Sequence, residues 1–118
     1  MSREYKLYLN DIQTAIERIE HYVQGFDLEA FRDSQLIIDA VIRNFTVIGE
    51  AARNIPEEVR VKYDDVPWRA IGSFRNLLVH EYFRVDLEQT WSVIQGRLPK
   101  LKAQITAILE QEDDGETT

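Results

Sequence analysis

The chain has 118 residues, the size of a single domain with one hydrophobic core. Hydrophobic residues make up 44% and charged residues 30%, a balance typical of a folded soluble protein and too apolar for a disordered one. Without cysteine there are no disulfides or thiolate metal sites, and two histidines are a poor ligand set for zinc. With no signal peptide and no membrane-length apolar run, we expect a cytoplasmic protein without membrane contact, metal or cofactor.

The net charge of −7 argues against nucleic-acid binding if it is taken as a whole. Its distribution is uneven, however, because five of the acids lie in the tail from Glu110 to Thr118. Residues 67–104 carry a net charge of +3. A local phosphate-binding surface is therefore compatible with the acidic total.

Every predicted element is a helix. Apolar residues three and four positions apart predict helices at about Arg3–Gln24, Leu28–Arg32, Ser34 to just before Pro56, Glu57–Tyr63, Trp68–Tyr82 and Leu87–Glu110. Gly25 supplies a stop, whereas Asp27 and Asp86 are predicted N-caps. Pro67 suits a first helical turn, and Pro99 is expected to bend or interrupt the last helix.

No stretch alternates like a strand, so the sequence predicts an all-α fold, an up-and-down bundle of four to five helices. We assign residues 1–110 to this helical domain. Residues 111–118 are expected to form an acidic disordered tail.

The segment Arg75-Asn76-Leu77-Leu78-Val79-His80-Glu81-Tyr82 is the main candidate for chemistry. His80 is the first residue to suspect, because imidazole exchanges protons near neutral pH. On a continuous helix Arg75 falls in the middle of an apolar stripe, and a buried guanidinium needs an anionic partner. That partner is a carboxylate such as Glu50 or Asp39, a second subunit, or a ligand phosphate. The stripe consists of Trp68, Ile71, Leu78, Val79 and Tyr82.

Taken with its flanking segments, this motif resembles the HEPN superfamily and, within it, the HepT-like toxin family. The family mark is Arg, four to six residues, then His, with Tyr two places further, which here gives Arg75, His80 and Tyr82. Three other segments look like family segments in family order: Tyr8–Ile12, Ile48–Ala52 and Pro67–Ile71. The resemblance covers nearly the whole chain apart from the acidic tail.

The resemblance implies a homodimer in which two motif helices face each other and form a metal-independent endoribonuclease site. His80 would then act as general acid or base, and Arg75 would bind the phosphate. Asn76 and Glu50 would support the site. The implied setting is a type VII-like toxin–antitoxin pair, in which a minimal nucleotidyltransferase antitoxin transfers AMP to the hydroxyl of Tyr82.

The rival interpretation is a helical interaction or nucleotide-binding module that uses the same helix for dimerisation and cleaves nothing. The acidic net charge mildly favours it, whereas the complete motif favours the enzyme.

Among the remaining residues, Trp68 and Trp91 are predicted core or interface anchors. His21 is expected at the end of the first helix, where a basic residue interacts well with the helix dipole.

Overall fold

The computed structural model of the chain describes residues 4–80, 82 and 84–117. In this part of the chain the fold is entirely helical, as predicted, with eight helices in place of four to five. They are α1 Glu4–Tyr22, α2 Leu28–Arg32, α3 Gln35–Arg53, α4 Glu57–Lys62, α5 Trp68–Gly72, α6 Phe74–Leu78, α7 Leu87–Gln95 and α8 Arg97–Thr117. Arg3, where the first helix was expected to begin, lies outside the described residues. None of the described helices has the length and apolar character needed to cross a membrane.

The core lies where α1 packs against α3 and α8, and α5 and α6 also pack against α3. Apolar residues at helical spacing face this core from each helix, and burying each one contributes roughly 1.5–3 kcal/mol. The members without solvent exposure include Leu9, Ile16, Val41, Phe45 and Ile105.

The predicted stop after α1 and the predicted N-caps of α2 and α7 are confirmed. Asp27 accepts a hydrogen bond from the Ala30 backbone at 2.8 Å, and Asp86 accepts one from Gln89 at 3.0 Å. Both side chains thereby satisfy a backbone N–H that the first helical turn leaves without a partner. Gly25 has a φ of +79°, a conformation that favours glycine and stops the helical path after α1.

The predicted continuous helix Trp68–Tyr82 is wrong in two places. It is divided at Ser73 into α5 and α6, and it ends at Leu78. Val79 is extended and pairs in antiparallel fashion with Val85, an arrangement that suits β-branched side chains. We call residues 79–86 the motif loop.

The predicted last helix is also two helices, and the break falls at Gly96 rather than at Pro99. The N–H of Gly96 donates to the Ser92 carbonyl at 3.0 Å and closes α7. Pro99 lies in the first turn of α8, where a missing N–H removes no hydrogen bond within the helix.

The expectation of disorder beyond residue 110 is wrong for residues 111–117, which continue α8. Glu112 accepts hydrogen bonds from the hydroxyls of Tyr5, at 2.8 Å, and Tyr63. It also pairs with Lys62 at 3.1 Å. These contacts hold the acidic end of the chain against α1 and α4, while Thr118 lies outside the described residues.

Candidate active site

The apolar stripe of the motif segment faces the core of the same chain. Trp68, Ile71 and Leu78 are buried, and Phe74 packs edge-to-face against Phe45 with ring centroids 5.4 Å apart. The buried face of α5 and α6 also includes Phe74, which was not among the residues of the predicted stripe. The expected position of Arg75 in the centre of this stripe is wrong.

Arg75 is exposed on α6 and lines a polar cleft of about 370 Å³ together with Asn76. The opposite wall of the cleft is the last part of α3, which supplies Glu50 and Arg53. The guanidinium of Arg53 donates to the carbonyl of Gly72, so it is held across the end of α5. Two arginines and an amide thus share one open cleft with a single carboxylate.

Neither predicted carboxylate forms an ion pair with Arg75. Asp39 is exposed and accepts a hydrogen bond from Gln35 at 2.8 Å. Glu50 lines the same cleft as Arg75 but makes no ion pair with it. In the described part of the chain Arg75 has no hydrogen-bond or ion-pair partner, so the buried Arg–carboxylate pair is absent there.

His80 lies beyond the end of α6, in the motif loop, and its side chain is about half exposed, at 52%. Its Nε2 atom is 3.5 Å from Oδ2 of Asp86. Both residues line a second cleft of about 360 Å³, to which Arg32 and Arg84 contribute positive charge. The hydrogen bond from the Gln89 backbone, aided by His80, lowers the pKa of the Asp86 carboxyl.

The structure therefore brings together only part of the predicted site. Arg75, Asn76 and Glu50 share one cleft, whereas His80 lines another. Asn76, expected to support the site, lies beside Arg75 on α6, which ends at Leu78, before His80.

Tyr82 lies at the tip of the motif loop rather than on a continuing helix. The loop is closed below it by a hydrogen bond from His80 N–H to the Arg84 carbonyl, at 2.7 Å. Tyr82 has a φ of +59° and is 95% exposed, so its side chain projects into solvent. The expectation that it shares the face of Arg75 is wrong. Glu81 lies outside the described residues.

Sequence reasoning missed Arg53 as a member of the Arg75 cleft and recognised Asp86 only as a helix cap. The spacing of Arg53, three residues after Glu50, was the available signal for a shared helix face.

The core role expected of the tryptophans is confirmed: Trp68 is buried, and Trp91 packs against Phe31 with centroids 5.4 Å apart. The described side chains contain no group of three or more Asp, Glu or His that could hold a metal ion.

The chain is similar in sequence to proteins named as ribonucleases. The model of a protein family described as "Ribonuclease HepT-like" matches residues 12–108. A "Probable ribonuclease HepT" of Thermococcus cleftensis is 38% identical over 86% of this chain and 93% of its own length. A "Putative RNase" of Caldanaerobacter subterraneus subsp. tengcongensis is 36% identical over 89% of this chain and 94% of its own.

A longer relative is also similar. The "Gamma-glutamylcyclotransferase and putative RNase" of Methanocaldococcus jannaschii is 42% identical over 96% of this chain, which spans only 51% of that protein. No solved structure gives a significant match. The chain belongs to the HepT-like ribonuclease family, which confirms the resemblance and the enzyme class that it implied.

Proposed function

We propose that this protein is the toxin of a type VII-like toxin–antitoxin pair and cleaves RNA internally without a metal ion. The single observation that supports this most is that the Arg75 side chain is exposed and, in the described part of the chain, unpartnered. It is exposed in a polar cleft, has no hydrogen-bond or ion-pair partner among the described residues, and lies within the stretch that matches a ribonuclease family. An unpartnered guanidinium is well suited to bind phosphate, because its planar fork matches two phosphate oxygens.

The cleft around Arg75 has the composition of a phosphate site. Arg53 adds a second guanidinium from α3, and Asn76 adds an amide donor. Negative charge grows on the phosphate oxygens in the transition state of cleavage. These donors would therefore stabilise the transition state more than they stabilise the bound substrate. Glu50 also lines this cleft and is kept in the proposal as a supporting residue.

His80 would supply the proton transfers. As a base it takes the proton of a 2′-hydroxyl, whose oxygen attacks the adjacent phosphorus. The bond from phosphorus to the 5′-oxygen then breaks, and that oxygen leaves with a proton from a general acid. The products are a 2′,3′-cyclic phosphate and a 5′-hydroxyl, and no other reactant is needed.

A composite site formed by two copies of the chain accounts for the separation of the two key residues. In one copy Arg75 and His80 line different clefts. A two-fold axis next to the motif segment would place Arg75 of one copy opposite His80 of the other and create two equivalent sites. We therefore propose a homodimer.

We further propose that a minimal nucleotidyltransferase antitoxin controls the protein through Tyr82. This proposal is supported by the accessibility of Tyr82, which is 95% exposed at the tip of the motif loop. Transfer of AMP from ATP would join the phenolic oxygen to the α-phosphorus and release pyrophosphate. The added phosphate would place negative charge two residues from His80 and repel RNA.

Alanine substitution tests the catalytic assignment. His80→Ala and Arg75→Ala should each lower RNA cleavage by roughly 10²- to 10⁴-fold, the range for loss of acid–base or electrostatic groups. Both side chains are exposed, so circular dichroism and melting temperature should stay near those of the unmodified protein. His21→Ala and Arg43→Ala, at exposed positions on α1 and α3, are the matched controls.

Two results would contradict this function. Unchanged cutting by a folded His80→Ala protein would remove the acid–base role, and loss of cutting in EDTA would remove the metal-independent mechanism. The separation of the two clefts in one copy favours the second candidate, a non-catalytic interaction module. That alternative predicts no cleavage by the unmodified dimer in the same assay.

A further inference from the structure

Asp86 uses its two carboxylate oxygens for two different contacts. Oδ1 accepts the hydrogen bond from the Gln89 backbone that caps α7. Oδ2 lies 3.5 Å from Nε2 of His80, across the motif loop. Capping accounts for only one of the oxygens, so the second is available to act on the imidazole.

Main-chain hydrogen bonds hold these two residues opposite each other. The N–H of His80 donates to the Arg84 carbonyl at 2.7 Å, and the N–H of Asp86 donates to the Leu78 carbonyl at 2.8 Å. The Asp86 carbonyl in turn accepts from the hydroxyl of Thr90 at 2.7 Å, and Thr90 is fully buried. The backbone of Asp86 is thus anchored to the core, and its carboxylate lies opposite the half-exposed imidazole.

A backbone hydrogen bond keeps this carboxylate in its accepting form. The Gln89 backbone donor lowers the pKa of Asp86, so the side chain is ionised at neutral pH. The other charged groups on the cleft are Arg32, Arg84 and Glu88, of which Arg32 and Glu88 pair at 2.6 Å. An ionised carboxylate accepts hydrogen bonds and donates none, so the ring nitrogen facing it carries the hydrogen.

We propose that Asp86 is a positioning residue for His80. It selects the imidazole tautomer with hydrogen on Nε2 and leaves Nδ1 as the nitrogen that exchanges a proton with RNA. The effect on cleavage rests on the proposed ribonuclease function, whereas selection of the tautomer does not depend on it.

Two substitutions separate this role from capping. Asp86→Asn and Asp86→Ser both keep a side-chain oxygen that can cap α7, and both remove the charge facing His80. We expect kcat to fall roughly 10- to 100-fold, as when the group behind a functional histidine is removed, with KM within about twofold. Nitrogen-15 NMR should show His80 moving away from the Nε2–H form, while His21, the other histidine of the chain, stays unchanged.

Asp27→Asn is the matched control, because it neutralises another N-cap aspartate whose side chain bonds Ala30 instead. It should leave both kcat and the His80 spectrum unchanged. A His80 spectrum that stays the same in both Asp86 variants would overturn the proposal even if kcat falls, since capping would then explain the loss. A changed tautomer with an undiminished kcat would overturn the link to catalysis. If the unmodified protein cleaves no RNA, the proposed function fails, but the NMR comparison still decides the positioning.

Discussion

At the residue scale, accessibility is the property that the three motif side chains share. Arg75, His80 and Tyr82 are all exposed, although the apolar residues between them pack inward. Leu78 is fully buried and ends α6 in the core, and the backbone then turns outward through the motif loop. The same short segment therefore packs its apolar side chains into the core and exposes its polar side chains to solvent.

Tyr82 gives a prediction at this scale. Tyr82→Phe removes only an oxygen that projects into solvent, so RNA cleavage should stay within about twofold of the unmodified protein. If the proposed nucleotidyltransferase antitoxin acts on Tyr82, the variant should resist silencing by it, because the acceptor hydroxyl is gone. Intact-mass spectrometry after incubation with ATP measures the addition of AMP.

Tyr8→Phe, on the partly buried face of α1, is the matched control and should be modified like the unmodified protein. Silencing of Tyr82→Phe without any gain of mass would mean that the antitoxin acts by covering the site. AMP found on another tyrosine would contradict the assignment directly.

At the element scale, the end of α8 stabilises the bundle through one carboxylate. Glu112 is only 16% exposed and joins α8 to Tyr5 on α1 and to Lys62 and Tyr63 at the end of α4. The hydrogen bond from Tyr63, with those of Tyr5 and Lys62, lowers the pKa of this carboxyl. A carboxyl whose pKa is lowered on folding stabilises the fold above its ordinary pKa, and the stability is lost as the pH falls through the folded value.

Glu112→Gln should therefore lower the free energy of unfolding by about 1–3 kcal/mol at pH 7, since hydrogen bonds to a charged group are lost. The difference between variant and unmodified protein should shrink below about pH 4, where the unmodified side chain also becomes neutral. Urea unfolding followed by circular dichroism at several pH values measures it. Glu110→Gln, on the exposed face of the same helix, is the control, and an equal loss there would contradict a specific role for Glu112.

At the scale of the whole molecule, the chain measures 50 × 29 × 20 Å, which leaves little depth for an enclosed site within one copy. Arg75 and His80 accordingly line separate clefts on its surface. A site that needs both residues is most simply completed by a second copy. The proposed dimer would bring together the two residues that one copy keeps in separate clefts.

Mixing two inactive variants tests this composite site. If each site combines Arg75 of one copy with His80 of the other, a dimer of one Arg75→Ala chain and one His80→Ala chain keeps one intact site. Co-refolding equal amounts should then recover about a quarter of the unmodified activity, because half the dimers are mixed and each has one of two sites. No recovery in mixed dimers, with their formation verified by native mass spectrometry, would contradict a site shared in this way.

Local signals in the sequence were sufficient to predict an all-α fold and the positions of several helix ends. Apolar spacing located α1 and α3, and the side chains of Asp27 and Asp86 cap the helices they were expected to begin. These features depend on neighbours within a few residues, which the sequence displays directly. The motif of Arg75 and His80 was likewise readable as a pattern and placed the chain in its family.

Only the tertiary structure decided the path of the motif segment and of the acidic end. The pairing of Val79 with Val85 ends α6 early, and this contact across the motif loop outweighs the helical spacing of the apolar residues. As a result Arg75 and His80 lie in separate clefts. Glu112 is held in the fold by Tyr63, far away in sequence, because a distant hydrogen bond can order a tail whose composition alone favours disorder.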